Sequence, residues 1–358
     1  MKKNIGVIFG GRSTEHEVSV WSAATVLDYL GRAGYSAAPI YVPQKGAWRL
    51  LHPKTLAKKS GKKGKKVEVS LERGCFTAGG RRLKLDALFP VIHGSTGEDG
   101  VLQGFLELLG LPYVGSGVLS SAAGMDKVLS KEIAREHGLP LLPHVEISGR
   151  SPARIKTGLK AARRLGFPLF VKPVQLGSSV GVTRVVRRSE LAKAVNFAFR
   201  FDSRVMIEKG VDHAREIVCG VLGSSAAARS SVTGEVKPKG KHEFFDFEAK
   251  YLDEGGMDFI VPAPVSKATA AGIRKFSAEI FRAMGCRGMA RVDFLVDPKN
   301  DRKYYFCEIN TIPGFTSHSL YPTLWKNTGL DPVKLTGGLV ELAFERSREK
   351  ARLKTVRK

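Results

Sequence analysis

Cysteine is scarce in this sequence and shows no pairing pattern: Cys75, Cys219, Cys286 and Cys307 are the only four in 358 residues. They have neither C-x-x-C spacing nor the density of a disulfide scaffold, which argues against a zinc ribbon, a dithiol redox centre or a stapled secreted domain. Three lie in apolar surroundings, where a small buried thiol is the ordinary reading. No His and Asn partners mark any of them as a nucleophile. Long apolar runs are also missing, since nothing approaches the roughly 18 residues of a membrane span. The basic start leads into Ile5–Phe9, an apolar run too short for a secretory signal. The expected location is the cytoplasm. Acidic residues are few as well: 34 Asp and Glu against 58 Lys and Arg leave a net charge of +24. Such a surface attracts phosphates, whether of a nucleotide, a nucleic acid or an anionic membrane. The excess gathers in Lys58–Lys66, Arg81–Lys84 and Arg346–Lys358 rather than on one folded element. A generally basic, solvated surface is therefore expected, with no membrane partner and no specific nucleic-acid site.

The length suits two or three packed domains. Ile5–Phe9 reads as a buried parallel strand, followed by a helical stripe of Val20, Ala23, Ala24, Leu27 and Leu30 that Gly31 and Gly34 end. Pro39–Val42 and Ala87–Ile92 are further strands, and Leu102, Phe105, Leu106 and Leu109 mark a second helix stopped by Gly110. This predicts a doubly wound parallel-sheet α/β domain to about residue 120, with the Lys-rich stretch 45–85 as an excursion from it. From 121 to 211 an α+β unit is expected, with helices at Lys127–His137 and Arg154–Leu165 and strands at Leu169–Lys172, Val182–Val186 and Val205–Glu208. The remainder reads as strands Glu216–Val221, Met289–Val296 and Tyr304–Ile309 with helices near 267–284 and 332–347.

Four segments carry chemistry. Met289–Val296 and Tyr304–Ile309 flank the turn-forming run Asp297–Lys303 and suit a hairpin. Alternation puts Arg291 and Asp293 on one face, and Tyr304, Phe306, Glu308 and Asn310 on one face of the second strand. A turn centred near 300–301 sets Asp293 across from Glu308 and Arg291 across from Asn310. Like charges so placed repel unless a hard cation joins them, and Asp, Glu and Asn supply the oxygens magnesium uses beside nucleotide phosphates. A solvated hairpin face is the plainer alternative. The second segment runs Val171–Val182 (VKPVQLGSSVGV), in which a strand delivers Lys172 into a Gly-Ser-Ser turn whose N–H groups suit a phosphate. It is not a Walker loop, and on its own such a Gly/Ser loop is more often only a turn. The third segment, Gly10–Glu17, sets a helix start just past a buried strand. Glu15 there suits an amine, while Ser13 or Thr14 suits a cap and Glu17 offsets the dipole. The fourth segment, His93–Gly100, places a histidine at the carboxyl end of a strand.

Together these segments resemble the D-alanine–D-alanine ligases of the ATP-grasp superfamily. The matching stretches are GGRSTEHEVS, HGSTGEDGVLQGFLELLGLPYVGSG, MDK, FVKPVQLGSSVGV, IEKG, FEAKYL, RVDF and EINTIPGFTSHSLYP. The resemblance implies three domains: an N-terminal substrate-binding unit (1–120), a central ATP-grasp unit (121–211) and a catalytic unit (212–358), with ATP between two of them. It implies phosphate contacts from Lys127, Lys172, Ser178 and Ser179. The adenine and ribose would meet Glu208, Lys209, Val211 and Glu216, the last displaced by one position through Asp212–Arg215. Asp293, Glu308 and Asn310 match the ligands of two magnesium ions, for which manganese substitutes. Lys250 and Tyr251 match a closing loop at Phe244–Gly256, Lys250 reaching the transferred phosphate. Tyr251, Ser178 and Glu15 match a hydrogen-bonded trio. Arg291 and the N–H of Gly314 would hold an oxyanion, Glu15 and His93 the first substrate's ammonium, and Ser319 the second substrate's carboxylate. The reaction implied joins two D-alanines through an acyl phosphate, for peptidoglycan precursors, in a homodimer. A D-alanyl-D-lactate ligase is the near alternative; a nucleic-acid-binding protein with an inactive ATP-grasp body is the distant one.

Overall fold

The computed structural model describes residues 2–52, 64–238 and 257–354. Its strands form three sheets. In the first, Asn4–Gly10 lies between Ser36–Val42 and Ala87–Pro90 and runs parallel to both. Six of its seven residues are buried, as a strand covered on both faces requires. Beyond Ser36–Val42 the sheet continues antiparallel through Arg49–Leu50, Lys65–Ser70, Cys75–Ala78 and Arg81–Arg82. The Lys-rich excursion thus extends the sheet. Within Lys65–Ser70 only Val67 is buried, so the charged side chains remain in water. Lys58–Lys63 lie outside the described residues.

Helix His16–Arg32 turns Val18, Ser22, Ala23, Val26 and Leu30 inward. There it shares a core with Leu335, Leu339, Val340 and Ala343 of the C-terminal helix Pro332–Ala351. The chain's end therefore closes over its beginning.

The second sheet is antiparallel, ordered Thr183–Val185, Leu169–Pro173, Arg204–Lys209, His144–Ser148. Helices Pro152–Arg163 and Leu191–Ala198 cover the face made by Leu169, Val171, Val205 and Ile207. Alternation sends Lys172 and Glu208 to the opposite face. The third sheet is ordered Met257–Ile260, Ala228–Pro238, Arg215–Gly223, Gly288–Val296, Tyr304–Asn310. Its core takes Ile273 and Phe281 from helix Lys267–Ala283, and also Ala134 from helix Lys127–Glu136. Lys127 is thereby carried on a helix that packs with the third sheet.

The hairpin holds the register that matters most. Arg291 is opposite Asn310 and Asp293 opposite Glu308, but the register then slips and Phe294 pairs with Phe306. Cys307 is the extra residue of a β-bulge. This overturns the simple alternation that put Tyr304, Phe306, Glu308 and Asn310 on one face. Phe306 turns into the core against Phe294, with ring centroids 6.2 Å apart, while Glu308 and Asn310 line a cavity. The backbone at the bulge is satisfied off the sheet. Phe306 N–H donates to Pro140 O at 2.8 Å, and Phe306 O accepts from Lys131 Nζ at 2.9 Å. Re-aiming side chains beside a site is what such bulges do.

Candidate active site

A cavity of about 250 Å³ is lined by Glu15, His93, Lys127, Ser178, Arg291, Glu308, Asn310, Gly314 and Ser319, among others. Its floor comes from loops at the carboxyl ends of the parallel strands, the usual ligand position in an open α/β sheet. The bulged hairpin and the Gly-Ser-Ser turn supply the rest.

Glu15 is the residue before helix His16–Arg32 and makes no side-chain cap hydrogen bond to it. Ser13 Oγ accepts from Glu15 N–H at 3.1 Å, and the Glu15 carboxylate takes the Ser178 hydroxyl as a donor. Ser178 and Ser179 both have left-handed backbones, with φ of 54° and 57°. That conformation is costly for a residue with a Cβ and collects at functional sites. Gly94 has φ of 72°, and a Cβ there would lie 2.5 Å from Glu15 Oε2. Only glycine lets the His93 loop pass so close to this carboxylate.

His93 is buried, with Nδ1 2.9 Å from Ile312 O and Nε2 2.9 Å from Ser22 Oγ. Glu98 lies 3.6 Å from Nδ1. Burial, reinforced by the Glu15 charge and opposed by His93, pushes the Glu98 carboxyl up to about 7. Burial alone would lower His93, but the neighbouring Glu98 carboxylate outweighs it and holds the imidazole above its ordinary value. The cavity thus contains two acids, Glu15 and Glu98, and suits a cation.

The cationic side is built from helix Lys127–Glu136 and the second sheet. Lys127 Nζ donates to Leu176 O at 2.7 Å and stands 3.5 Å from Glu308. Lys172 does not line the cavity. Its Nζ donates at 2.7 Å to Glu208, whose other oxygen lies 2.7 Å from Lys131. Burial would raise the Glu208 carboxyl, but the two ammoniums pull it well below the ordinary carboxylate range. Glu208 therefore faces lysines on both sides. Lys209 donates to Phe167 O at 2.7 Å; Val211 and Glu216 are half-buried at the approach to the third sheet.

Asp293 is bound bidentately by Arg291, with both nitrogen–oxygen distances 2.7 Å. Asp293, Glu308 and Asn310 offer two carboxylates and an amide at adjacent register positions. Among the described residues there is no cluster of three or more His, Cys, Asp or Glu that could hold a metal ion, and the third donor of this set is an amide. The set fits magnesium, which takes one or two carboxylates and completes its shell with water and phosphate oxygens.

Gly314 and Ser319 share the far wall. Ser319 precedes helix Leu320–Asn327 without capping it. Its hydroxyl instead accepts from Thr316 N–H at 2.9 Å, and Leu320, the first residue of the helix, lines the cavity beside it; a helix N-terminus favours a carboxylate. Lys250 and Tyr251, with the Phe244–Gly256 segment, lie outside the described residues.

Three residues escaped the sequence reading. Lys131 follows Lys127 by four on one helix face, a signal that was legible. Glu98 lies inside the His93–Gly100 segment, though nothing in sequence said it was buried. Ser22 gave no signal at all.

Comparison with known proteins gives two family models: "D-ala D-ala ligase N-terminus" over residues 4–116 and "D-ala D-ala ligase C-terminus" over residues 133–341. A D-alanine--D-alanine ligase of Thermoanaerobacter sp. (strain X514) is 41% identical, covering 98% of this chain and 99% of its own length. Among solved structures, the D-alanine-D-alanine ligase of Coxiella burnetii matches with TM-score 0.86 and 36% identity, over 98% of this chain and 96% of that one. The VanG D-Ala:D-Ser ligase of Enterococcus faecalis matches with TM-score 0.84 and 34% identity, over 96% of this chain and 100% of that one.

Proposed function

Since this chain belongs to the D-Ala D-Ala ligase family, we propose that it uses ATP to join two D-alanines into D-alanyl-D-alanine for peptidoglycan precursors. The observation that carries this reading is the single cavity holding Glu15, Arg291, Gly314 and Ser319 beside Lys127, Glu308 and Asn310. Acids for an ammonium, donors for an oxyanion and cations for phosphate meet in one space.

A carboxylate is a poor acylating agent. The first D-alanine is held by its ammonium at Glu15 and His93, so that its carboxylate attacks the γ-phosphorus of ATP and ADP departs. Lys127 and Lys172 spread the phosphoryl charge, and Ser178 and Ser179 present the Gly-Ser-Ser turn to it. Such transfers depend chiefly on positioning and electrostatics. Asp293, Glu308 and Asn310 would hold magnesium, two ions with manganese as a substitute, which supplies positive charge beside the phosphates. The amine of the second D-alanine, its carboxylate at Ser319, then attacks the acyl phosphate. Arg291 and Gly314 N–H receive the oxyanion, and phosphate leaves as the peptide bond forms. Glu208, Lys209, Val211 and Glu216 are assigned to the nucleoside, with Glu208 acting through its lysines. Lys250 and Tyr251 are assigned to closure over the acyl phosphate, which water would otherwise hydrolyse.

We assign the three units to residues 1–120, 121–211 and 212–358, and the working form to a homodimer in the cytoplasm. Among the described residues no helix is long and apolar enough to cross a membrane. The test is phosphate release by the purified protein with ATP, magnesium and D-alanine, with the product identified by mass. Phosphate matched by D-alanyl-D-alanine supports the proposal; ATP turnover without dipeptide moves the question to another nucleophile. D-Serine and D-lactate offered in competition decide the second substrate.

A further inference from the structure

We propose that Ser22 is a positioning residue that sets the peptide presenting Gly314 to the oxyanion, an inference that rests on the role given to Gly314 above. Ser22 is fully buried on the inner face of helix His16–Arg32, behind the cavity wall. Its Oγ lies 2.9 Å from His93 Nε2 and accepts from Phe315 N–H at 3.2 Å. His93 Nδ1 lies 2.9 Å from Ile312 O.

The proton arrangement follows from donor and acceptor chemistry. A carbonyl oxygen only accepts, so Nδ1 carries a hydrogen. In the neutral ring Nε2 is then the acceptor and the Ser22 hydroxyl donates to it; in the protonated ring Nε2 donates to Ser22 Oγ, and the contact holds in either form. The lone pairs of Ser22 are left for the Phe315 N–H. The chain Ile312–Phe315 is thus held at both ends, its first carbonyl by His93 and its last N–H by Ser22. Pro313 and Gly314 lie between the two anchors. A donor that stabilises charge only in the transition state works because it is fixed beforehand. Here the fixing groups are Ser22, which does not line the cavity, and His93. Removing the Ser22 hydroxyl leaves Glu15, the charged partner of the first substrate's ammonium, in place.

Ser19, one turn earlier on this helix, gives the contrast. Its Oγ donates to Val91 O at 2.6 Å and accepts from Gly10 N–H at 2.8 Å. It ties the strand ends together and makes no hydrogen bond to the Gly314 loop. Ser19→Ala is accordingly a control for loosened packing.

The experiment compares two steps in Ser22→Ala. Acyl phosphate formation is followed by positional isotope exchange within ATP in the presence of D-alanine, and ligation by dipeptide release. With the oxyanion peptide displaced, ligation is expected to fall about 10–100-fold while exchange stays within about twofold of the unaltered enzyme. Ligation that remains within about twofold overturns the proposal, as does a parallel fall of both steps like that of Ser19→Ala. If Ser22→Ala does not fold, Ser22→Cys makes the same comparison, being of similar shape with a weaker donor. Arg291→Ala separates the two levels of inference. Full ligation in Arg291→Ala removes the oxyanion assignment itself. A stalled Arg291→Ala beside an unaffected Ser22→Ala removes the role of Ser22 alone.

Discussion

Arg291 Nε and Nη2 each lie 2.7 Å from an oxygen of Asp293, two residues along the same strand and on the same face. A fork held in this way has a fixed plane, so the residue assigned to the oxyanion is oriented by a residue assigned to the metal. Arg291→Ala is expected to lower kcat by about 10²–10³, the usual effect of losing one oxyanion donor. Arg291→Lys restores little, because an ammonium cannot bind both carboxylate oxygens in a plane. Steady-state ligation kinetics check this, and near-full turnover in Arg291→Ala would sink the assignment.

Asp293 and Glu308 face one another across the hairpin, and each is met by a protein cation, Arg291 and Lys127 respectively. Asp293→Asn and Glu308→Gln remove a charged ligand each. Both are expected to raise the magnesium concentration for half-maximal activity by about 10–100-fold, of the order seen when groups supporting a metal site are altered. Titration of activity with magnesium at saturating ATP is the measurement. An unmoved midpoint in both variants would reassign these carboxylates to the hairpin alone.

How much of this was legible in the sequence depends on the element. Asn4–Gly10 was readable as a short continuous apolar run, and helix Val101–Leu109 because its side chains follow the helical period. The pairing of Asp293 with Glu308 was readable because turn formers bracket the hairpin. The bulge at Cys307 was not, since a one-residue slip is decided by distant partners, Pro140 and Lys131, for the Phe306 backbone. The strand Ala228–Pro238 was hidden by its composition. Its buried positions include Ser231, Thr233, Gly234 and Glu235, which carry no apolar signal and are satisfied by contacts such as Arg215 to Glu235 at 2.7 Å. The buried pairing of Glu208 with Lys131 was invisible for the same reason: sequence gives charge, and tertiary structure decides which charges lose their water.

Lys131 supplies a stability prediction. Its side chain is 1% exposed, as is that of Glu208, and their charges lie 2.7 Å apart. Lys131→Met keeps the chain's volume but leaves Glu208 balanced by Lys172 alone and Phe306 O without its donor. Breaking a buried pair from one side typically costs about 3–5 kcal/mol, and the surviving Lys172 contact puts the expectation at the lower end. Denaturant unfolding of the variant beside the unaltered protein measures it. A midpoint that does not move would mean that the ion pair contributes nothing to the folded state.

Glu98 gives a pH prediction of definite sign. Its carboxyl is pushed from 4.5 to about 7, first by burial and further by the Glu15 charge, against the pull of His93. Between those values the folded protein keeps a proton that the unfolded chain has released. The stabilisation is therefore fully present below about 4.5 and fades as pH rises through about 7, where an ionised carboxylate must be kept beside Glu15. The shift corresponds to an upper figure of about 3 kcal/mol. Glu98→Gln imitates the protonated acid at every pH, so this part of the dependence should vanish. His93, also raised, loses stabilisation in the same direction; its shift depends on the Glu98 carboxylate, so that shift is removed with Glu98 in the variant and the two changes act in the same sense. Thermal melts at about pH 5 and pH 8 make the comparison. Glu98→Gln should gain on the unaltered protein at the higher pH relative to the lower one. Parallel curves would mean that Glu98 is ionised at both pH values, with His93 as its counter-charge.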